Sequence, residues 1–209
     1  MDYCNLSVKE LMKRIGDKSL TPGSGAVGAV IAALSASLGS MAAELTLSKS
    51  NNIEAQGHVE AAKETFESEA IYLCDLVNKD VQAFEQIVSV YRLPDETPQE
   101  INNKELKIQQ ALKTAIEIPF DLARRCKNII ICLEDLAKFG HLNILSEVES
   151  ASHMLIAVLK VAKTNTWINM RSLDDPIYAN WIDEEMSRLE DMVVSTYDRI
   201  LTVIKKRNA

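Results

Sequence analysis

The sequence predicts an all-α protein, a bundle of about five to six long antiparallel helices forming one domain over residues 1–209. Three observations carry that expectation. Apolar residues recur three and four apart over long stretches, the spacing that lines one face of a helix. Aromatic residues make up 5% of the chain beside abundant Ala, Leu, Ile and Glu, which favours helix over strand. No segment alternates apolar and polar residues as a half-buried strand does, and the apolar run "NIIICL" at 128–133 sits inside a helical pattern.

Ser7, followed by Glu10, reads as a capping box that opens a short helix ending near Gly16. Thr21-Pro22-Gly23-Ser24-Gly25 breaks it. Over 25–48, Val27, Ile31, Leu34, Leu38, Met41 and Leu45 share one helix face. Gly28, Ala32, Ser35, Gly39 and Ala43 share another, and residues this small let two helix backbones approach closely. Both faces are expected to be buried. A long helical pattern over 53–91 stops at "RLPDETP", and the next runs over 98–139, with a kink or break expected at Pro119 and a stop at Gly140. A fifth helix is expected over 143–170 and a sixth over 175–206, with Pro176 suited to its first turn. Helices of this length leave apolar surface for a partner, so a homodimer is expected.

Composition narrows the function classes. With 47% hydrophobic and 25% charged residues the chain is an ordinary globular protein, and a net charge of −7 without a basic block argues against nucleic acid as a partner. The first twenty residues carry charges throughout, so neither a secretory signal nor an anchor is expected. The weakly polar run at 25–43 consists mostly of Ala and Gly interrupted by serines, which makes a poor membrane span. Cys4, Cys74, Cys126 and Cys132 lack CxxC or Cys/His spacing; no zinc site or disulfide framework is expected, and a reducing cytoplasmic compartment is the simplest inference. His58, His141 and His153 lack a ligand-spaced Cys or carboxylate, so no metal is expected at them.

Three polar features remain. The Pro22-Gly23-Ser24-Gly25 turn offers free backbone N–H groups at a helix start, a place for an anion or an ordinary turn; it lacks the Gly-Lys-Ser/Thr end of a P-loop. Asp80 lies beside the apolar face of Val77, Val81 and Phe84, aimed either into a groove or at solvent. On the fifth helix Asn143 and Glu147 share a face, as do Asn165 and Asn169, and buried amides need partners. Capping by Asn143 and Ser146 accounts for one end of that helix and leaves Asn165 and Asn169 unexplained.

These residues carry a resemblance. "LTPGSGAVGAVIAALSASLGSMAAELTLSK" resembles the Pro-Gly-Gly-Gly-Ser, Ala-rich helix and Leu-Thr-x-Gly-Lys signature of the formiminotetrahydrofolate cyclodeaminase and methenyltetrahydrofolate cyclohydrolase family. "DVQAFEQIVSVYRLP" and "NILSEVESASHMLIAVLKVAKTNTWINM" resemble the family's next two segments, in the same order. The resemblance implies an all-helical dimer with a folate site in a groove near the subunit contact, lined by the Gly23-Ser24-Gly25 turn. Carried over position by position, the matching residues are Pro22, Gly23, Gly25, Lys49, Asp80, Asn143, Ser146, Asn165 and Asn169. The departures are Ser24 and Ala26 for Gly and Ser, Glu44 for Asn or a small residue, Ser48 for Gly, and Glu147 for Asp.

The implied activity is hydrolysis of 5,10-methenyltetrahydrofolate to 10-formyltetrahydrofolate; the alternatives are deamination of 5-formiminotetrahydrofolate and, in another class, a catalytically silent folate-binding or scaffold protein. The cyclohydrolase is preferred because no formiminotransferase domain accompanies this one. Glu147 or Asp80 is the expected acid–base carboxylate, with Lys49 as proton donor or partner of the folate tail, and Asn165 and Asn169 hydrogen-bonding the substrate. Neither reaction calls for a metal or redox cofactor.

Overall fold

The structure is a computed structural model that describes residues 2–49 and 53–209, and among these every regular element is helical. A short helix α1 (Val8–Ile15) leads to five long ones, α2 (Ser24–Leu47), α3 (Ile53–Tyr91), α4 (Pro98–Phe139), α5 (Leu145–Met170) and α6 (Pro176–Arg207). Local chemistry sets their ends. Glu10 N–H donates to the Ser7 hydroxyl at 3.3 Å while Ser7 N–H donates to the Glu10 carboxylate at 2.9 Å. Thr97 and Glu100 repeat that reciprocal cap ahead of Pro98, and the Asp175 carboxylate accepts the Tyr178 N–H at 3.0 Å to open α6. Between α4 and α5 a turn of 3₁₀ helix, Leu142–Ile144, is capped by His141, whose Nδ1 accepts the Asn143 N–H at 3.2 Å. This corrects the expected capping by Asn143 and Ser146. Neither side chain caps, and Ser146 instead donates to Glu147 at 2.7 Å.

α2 packs chiefly on α3 and α5, α3 on α4, and α4 on α5 and α6. Gly28, Ala32, Ser35, Gly39 and Ala43 are all buried, as their size demands. A methyl group on Gly39 would stand 2.8 Å from two ring carbons of Phe66, and one on Gly28 would stand 3.3 Å from Leu122, so both glycines set the helix separation. The Ser35 hydroxyl donates to the Ala151 carbonyl at 2.9 Å, tying α2 to α5. The large residues of α2 behave differently from the expectation. Leu34 is 58% exposed, Met41 43% and Leu45 41%. The small face meets both neighbouring helices, so Leu34, Met41 and Leu45 on the opposite face point outward, while Ile31 and Leu38 beside them are partly buried against the core.

Pro119 neither breaks nor ends its helix; α4 runs unbroken through it. Proline has no N–H, so it leaves the carbonyl of Ala115, one turn back, without its helical donor. The Asn169 side chain supplies the replacement, with Nδ2 donating to the Ala115 oxygen at 2.8 Å. The four cysteines are free thiols, Cys126 fully buried. α2 and the segment Leu142–Met170 are long and apolar enough to cross a membrane, and about half of each apolar stretch is buried in the bundle.

Candidate functional site

A cleft of about 270 Å³ opens where the start of α2, the middle of α3, the Pro119 turn of α4 and the end of α5 meet. Gly23, Ser24 and Gly25 form one wall, Asp80 and Phe84 a second, and Asn165 and Asn169 a third. Pro22 is buried behind the turn, following a cis Thr21–Pro22 peptide.

Asp80 is the chemical centre of this cleft. Its carboxylate rests against the α-carbon of Gly25, so closely that a β-carbon there would stand 2.1 Å from Oδ1. It accepts a hydrogen bond from the Ala26 backbone N–H. Glycine at 25 is therefore required by a side chain of another helix, and position 26 contributes an N–H that any residue but proline supplies. That accounts for Ala26 standing where the resembled family carries Ser. Burial pushes the Asp80 carboxyl above its ordinary value, and the Ala26 N–H only partly offsets this. An acid so placed is poised to exchange protons closer to neutrality than a solvated Asp.

The two amides differ in freedom. The Ser24 hydroxyl donates to Asn165 Oδ1 at 3.0 Å, which turns the Asn165 NH₂ away from that contact and leaves its donors available to a ligand. Asn169 spends a donor on Ala115 and keeps its oxygen. Leu20, Phe84 and Ile168 add an exposed apolar rim, 75%, 37% and 52% accessible, suited to a flat ring. Sequence reasoning misses these three and Pro119; a proline inside a helix whose neighbour carries unexplained amides is the signal that could have found them.

The remaining expected site residues lie elsewhere. Lys49 follows the C-terminal end of α2, Asn143 stands in the 3₁₀ turn that precedes α5, and Ser146 and Glu147 stand in the first turn of α5. His141 N–H donates to Thr46 at 3.1 Å and so fastens these two ends together. α2 has 24 residues and is therefore about 36 Å long, so this second cluster lies at the opposite end of the bundle from Asp80. Lys49 is exposed and has no ion-pair partner among the described residues, while the departing residue Glu44 pairs with Lys63 at 2.8 Å. The imidazoles have structural contacts: His58 stacks on Phe139 at 4.7 Å, and His153 shares a 2.8 Å hydrogen bond with Tyr197. Among the described residues no three His, Cys, Asp or Glu side chains are grouped to hold a metal.

This fold is shared by a known class of folate enzymes. The crystal structure of formiminotetrahydrofolate cyclodeaminase from Thermotoga maritima superposes with a TM-score of 0.88 at 30% identity, covering 98% of each chain. The formiminotransferase-cyclodeaminase family model matches residues 7–188, and the chain belongs to that family. A methenyltetrahydrofolate cyclohydrolase of Methylorubrum extorquens is 30% identical over 206 residues, 97% of this chain and 98% of its own length. The formimidoyltransferase-cyclodeaminase of Rattus norvegicus is 27% identical over 183 residues, and the match spans only 34% of that longer protein.

Proposed function

We propose that this protein is a cytoplasmic, homodimeric methenyltetrahydrofolate cyclohydrolase, converting 5,10-methenyltetrahydrofolate to 10-formyltetrahydrofolate. The observation that carries this reading is the half-buried Asp80 carboxylate in a cleft with no lysine or arginine in its lining. Such a site attracts a cationic amidine bridge and holds a base against it. The full-length likeness to the Methylorubrum extorquens cyclohydrolase supports the same assignment.

In the proposed reaction water adds to the methenyl carbon and gives its proton to Asp80. The adduct then collapses. The carbon–N5 bond breaks with its electron pair on N5, N5 takes a proton from Asp80, and the adduct's hydroxyl proton leaves as the formyl carbonyl forms on N10. One proton is released per turnover. Asn165, its oxygen engaged by Ser24, donates to an acceptor of the folate ring system, and the Phe84 and Ile168 rim packs on the ring face. The chemistry uses no metal or redox cofactor.

A second reading, cyclodeamination of 5-formiminotetrahydrofolate with release of ammonia, is favoured by the likeness to the Thermotoga maritima cyclodeaminase. The same carboxylate would then protonate the leaving nitrogen. Both are tested by one pair of assays on purified protein. Fast loss of the methenyl chromophore against a buffer blank establishes the cyclohydrolase. Appearance of that chromophore with ammonia from the formimino substrate establishes the deaminase. Silence in both from folded protein overturns the enzymatic assignment; a rise in melting temperature with reduced folate would then leave a binding protein, and no rise a scaffold.

A further inference from the structure

The last turns of α5 separate two cavities. Successive helical residues are turned by about 100°, so Asn165, Ile168 and Asn169 share the face that looks into the Asp80 cleft, while Lys160, Lys163, Trp167 and Met170 share the opposite one. That second face meets Asp183 and Met186 of α6 across a groove of about 470 Å³, larger than the cleft itself. A volume of this order suits a small molecule. No residue is common to the two linings, so the proposed reaction makes no use of the groove.

Its lining combines apolar surface with unequal charge. Met186 is buried and Met170 half-buried, and thioethers adapt to whatever ring packs on them. The Trp167 indole is 54% exposed and offers a flat apolar face for stacking. Lys163 is already spent in an ion pair with Glu190 that joins α5 to α6. Two cations remain: the Arg171 guanidinium stands 5.1 Å from the Trp167 ring centroid, and Lys160 is exposed, without an ion-pair partner among the described residues. One carboxylate, Asp183, opposes them. Cations at the edge of an indole suit an anionic group carried on an aromatic ring. The single carboxylate suits an N–H or O–H donor on the same ligand and repels one that is negative at both ends.

We propose that the groove between α5 and α6 is a second binding site, separate from the Asp80 cleft, for a small planar aromatic acid that carries its own hydrogen-bond donor. The ring stacks on Trp167, the acidic group meets Lys160 and Arg171, and the donor reaches Asp183. The site stands on the groove alone and does not depend on the folate reading.

Anilinonaphthalene sulfonate is a suitable probe, because it joins aromatic rings, an anionic group and an N–H, and its fluorescence rises on leaving water. Phenylnaphthylamine keeps the rings and the N–H without the charge. Wild-type protein is expected to bind one sulfonate probe per chain saturably, and the neutral amine about tenfold more weakly. Trp167→Ala and Lys160→Glu should each weaken the sulfonate about tenfold; both positions are exposed, and thermal melts confirm that the variants fold. Asn165→Ala in the cleft and Leu34→Asp/Met41→Asp on the exposed face of α2 should leave binding unchanged. The chain has two tryptophans, so in a Trp181→Phe protein Trp167 is the sole indole and should pass its excitation to the bound probe. Absence of saturable binding overturns the proposal. Equal affinity for the neutral amine, indifference to both groove variants, or loss of binding in the cleft or α2 variants overturns it too. Protein that turns over folate but binds no probe keeps the enzymatic reading and loses the groove. Protein that binds the probe with these dependences but turns over neither folate does the reverse.

Discussion

Replacing Gly25 by Ala probes the centre of the site with one methyl group. The new β-carbon would lie 2.1 Å from Asp80 Oδ1, 2.7 Å from Cγ and 2.9 Å from Oδ2. Ordinary contact begins near 3.4 Å, so the carboxylate must retreat by about 1.3 Å and surrender the Ala26 N–H. Loss of a hydrogen bond to a charged group costs about 1.5–3 kcal/mol, against which alanine in a helix gains up to about 1 kcal/mol over glycine. The net loss of stability is thus on the order of 1 kcal/mol. Activity is far more sensitive, since a misplacement of about 1 Å costs roughly 100-fold. The expected outcome is a folded protein whose kcat for methenyl hydrolysis is reduced about 100-fold. Gly57→Ala is the control, because a methyl there meets nothing within 4 Å. Urea denaturation and chromophore decay on both variants decide the matter. A Gly25→Ala enzyme within a few-fold of wild type would refute the placement of Asp80 at the reacting atoms.

Asp80→Asn is expected to abolish most turnover, by about 10²–10⁴-fold, yet to stabilise the fold at neutral pH. The sign follows from the raised carboxyl: with a folded pKa above the unfolded value near 3.8, the wild type loses stability as pH rises through the folded pKa. The advantage of the variant should appear over that window and vanish near pH 4, read as urea midpoints from about pH 4 to 8. Asn169→Ala leaves the Ala115 carbonyl without a partner and should cost about 1–3 kcal/mol. In a Pro119→Ala background the restored helical N–H takes over, so the same change should cost markedly less, and additive costs would refute the pairing. Gly39→Ala drives a methyl into Phe66 and is expected to lower stability by about 1–3 kcal/mol, measured by thermal melts, with the Asp80 cleft untouched.

The helix ends are legible because they are written in local chemistry. Ser7 with Glu10, Thr97 with Glu100 and Pro98, and Pro176 each satisfy or remove backbone donors that a helix start exposes, and no tertiary contact is needed to read them. Pro119 reads as a defect in the sequence because its neighbours along the chain cannot show that Asn169, on the next long helix, supplies the lost donor. That bond also explains half of the amide pair that the sequence leaves without partners. The other half, Asn165, is explained by Ser24, a residue that the resemblance marks as a departure.

The grouping of the site residues follows a different logic. A shared motif order says which residues matter together, but an α-helix advances about 1.5 Å per residue, and the 24 residues of α2 are already enough to show that Gly25 and Lys49 cannot meet within one chain. What periodicity cannot disclose is which face of α2 turns inward. Hydrophobicity alone favours burying Leu34 and Met41, yet close packing favours the small face, because alanine and glycine let two neighbouring helices approach at once. The large side chains Leu34 and Met41 are then left on the surface. The same choice that tightens the bundle leaves a charge-free stripe on its surface from Ser24 to Ala43, so the close packing of α2 and the exposure of Leu34 and Met41 are two consequences of one pattern of small residues.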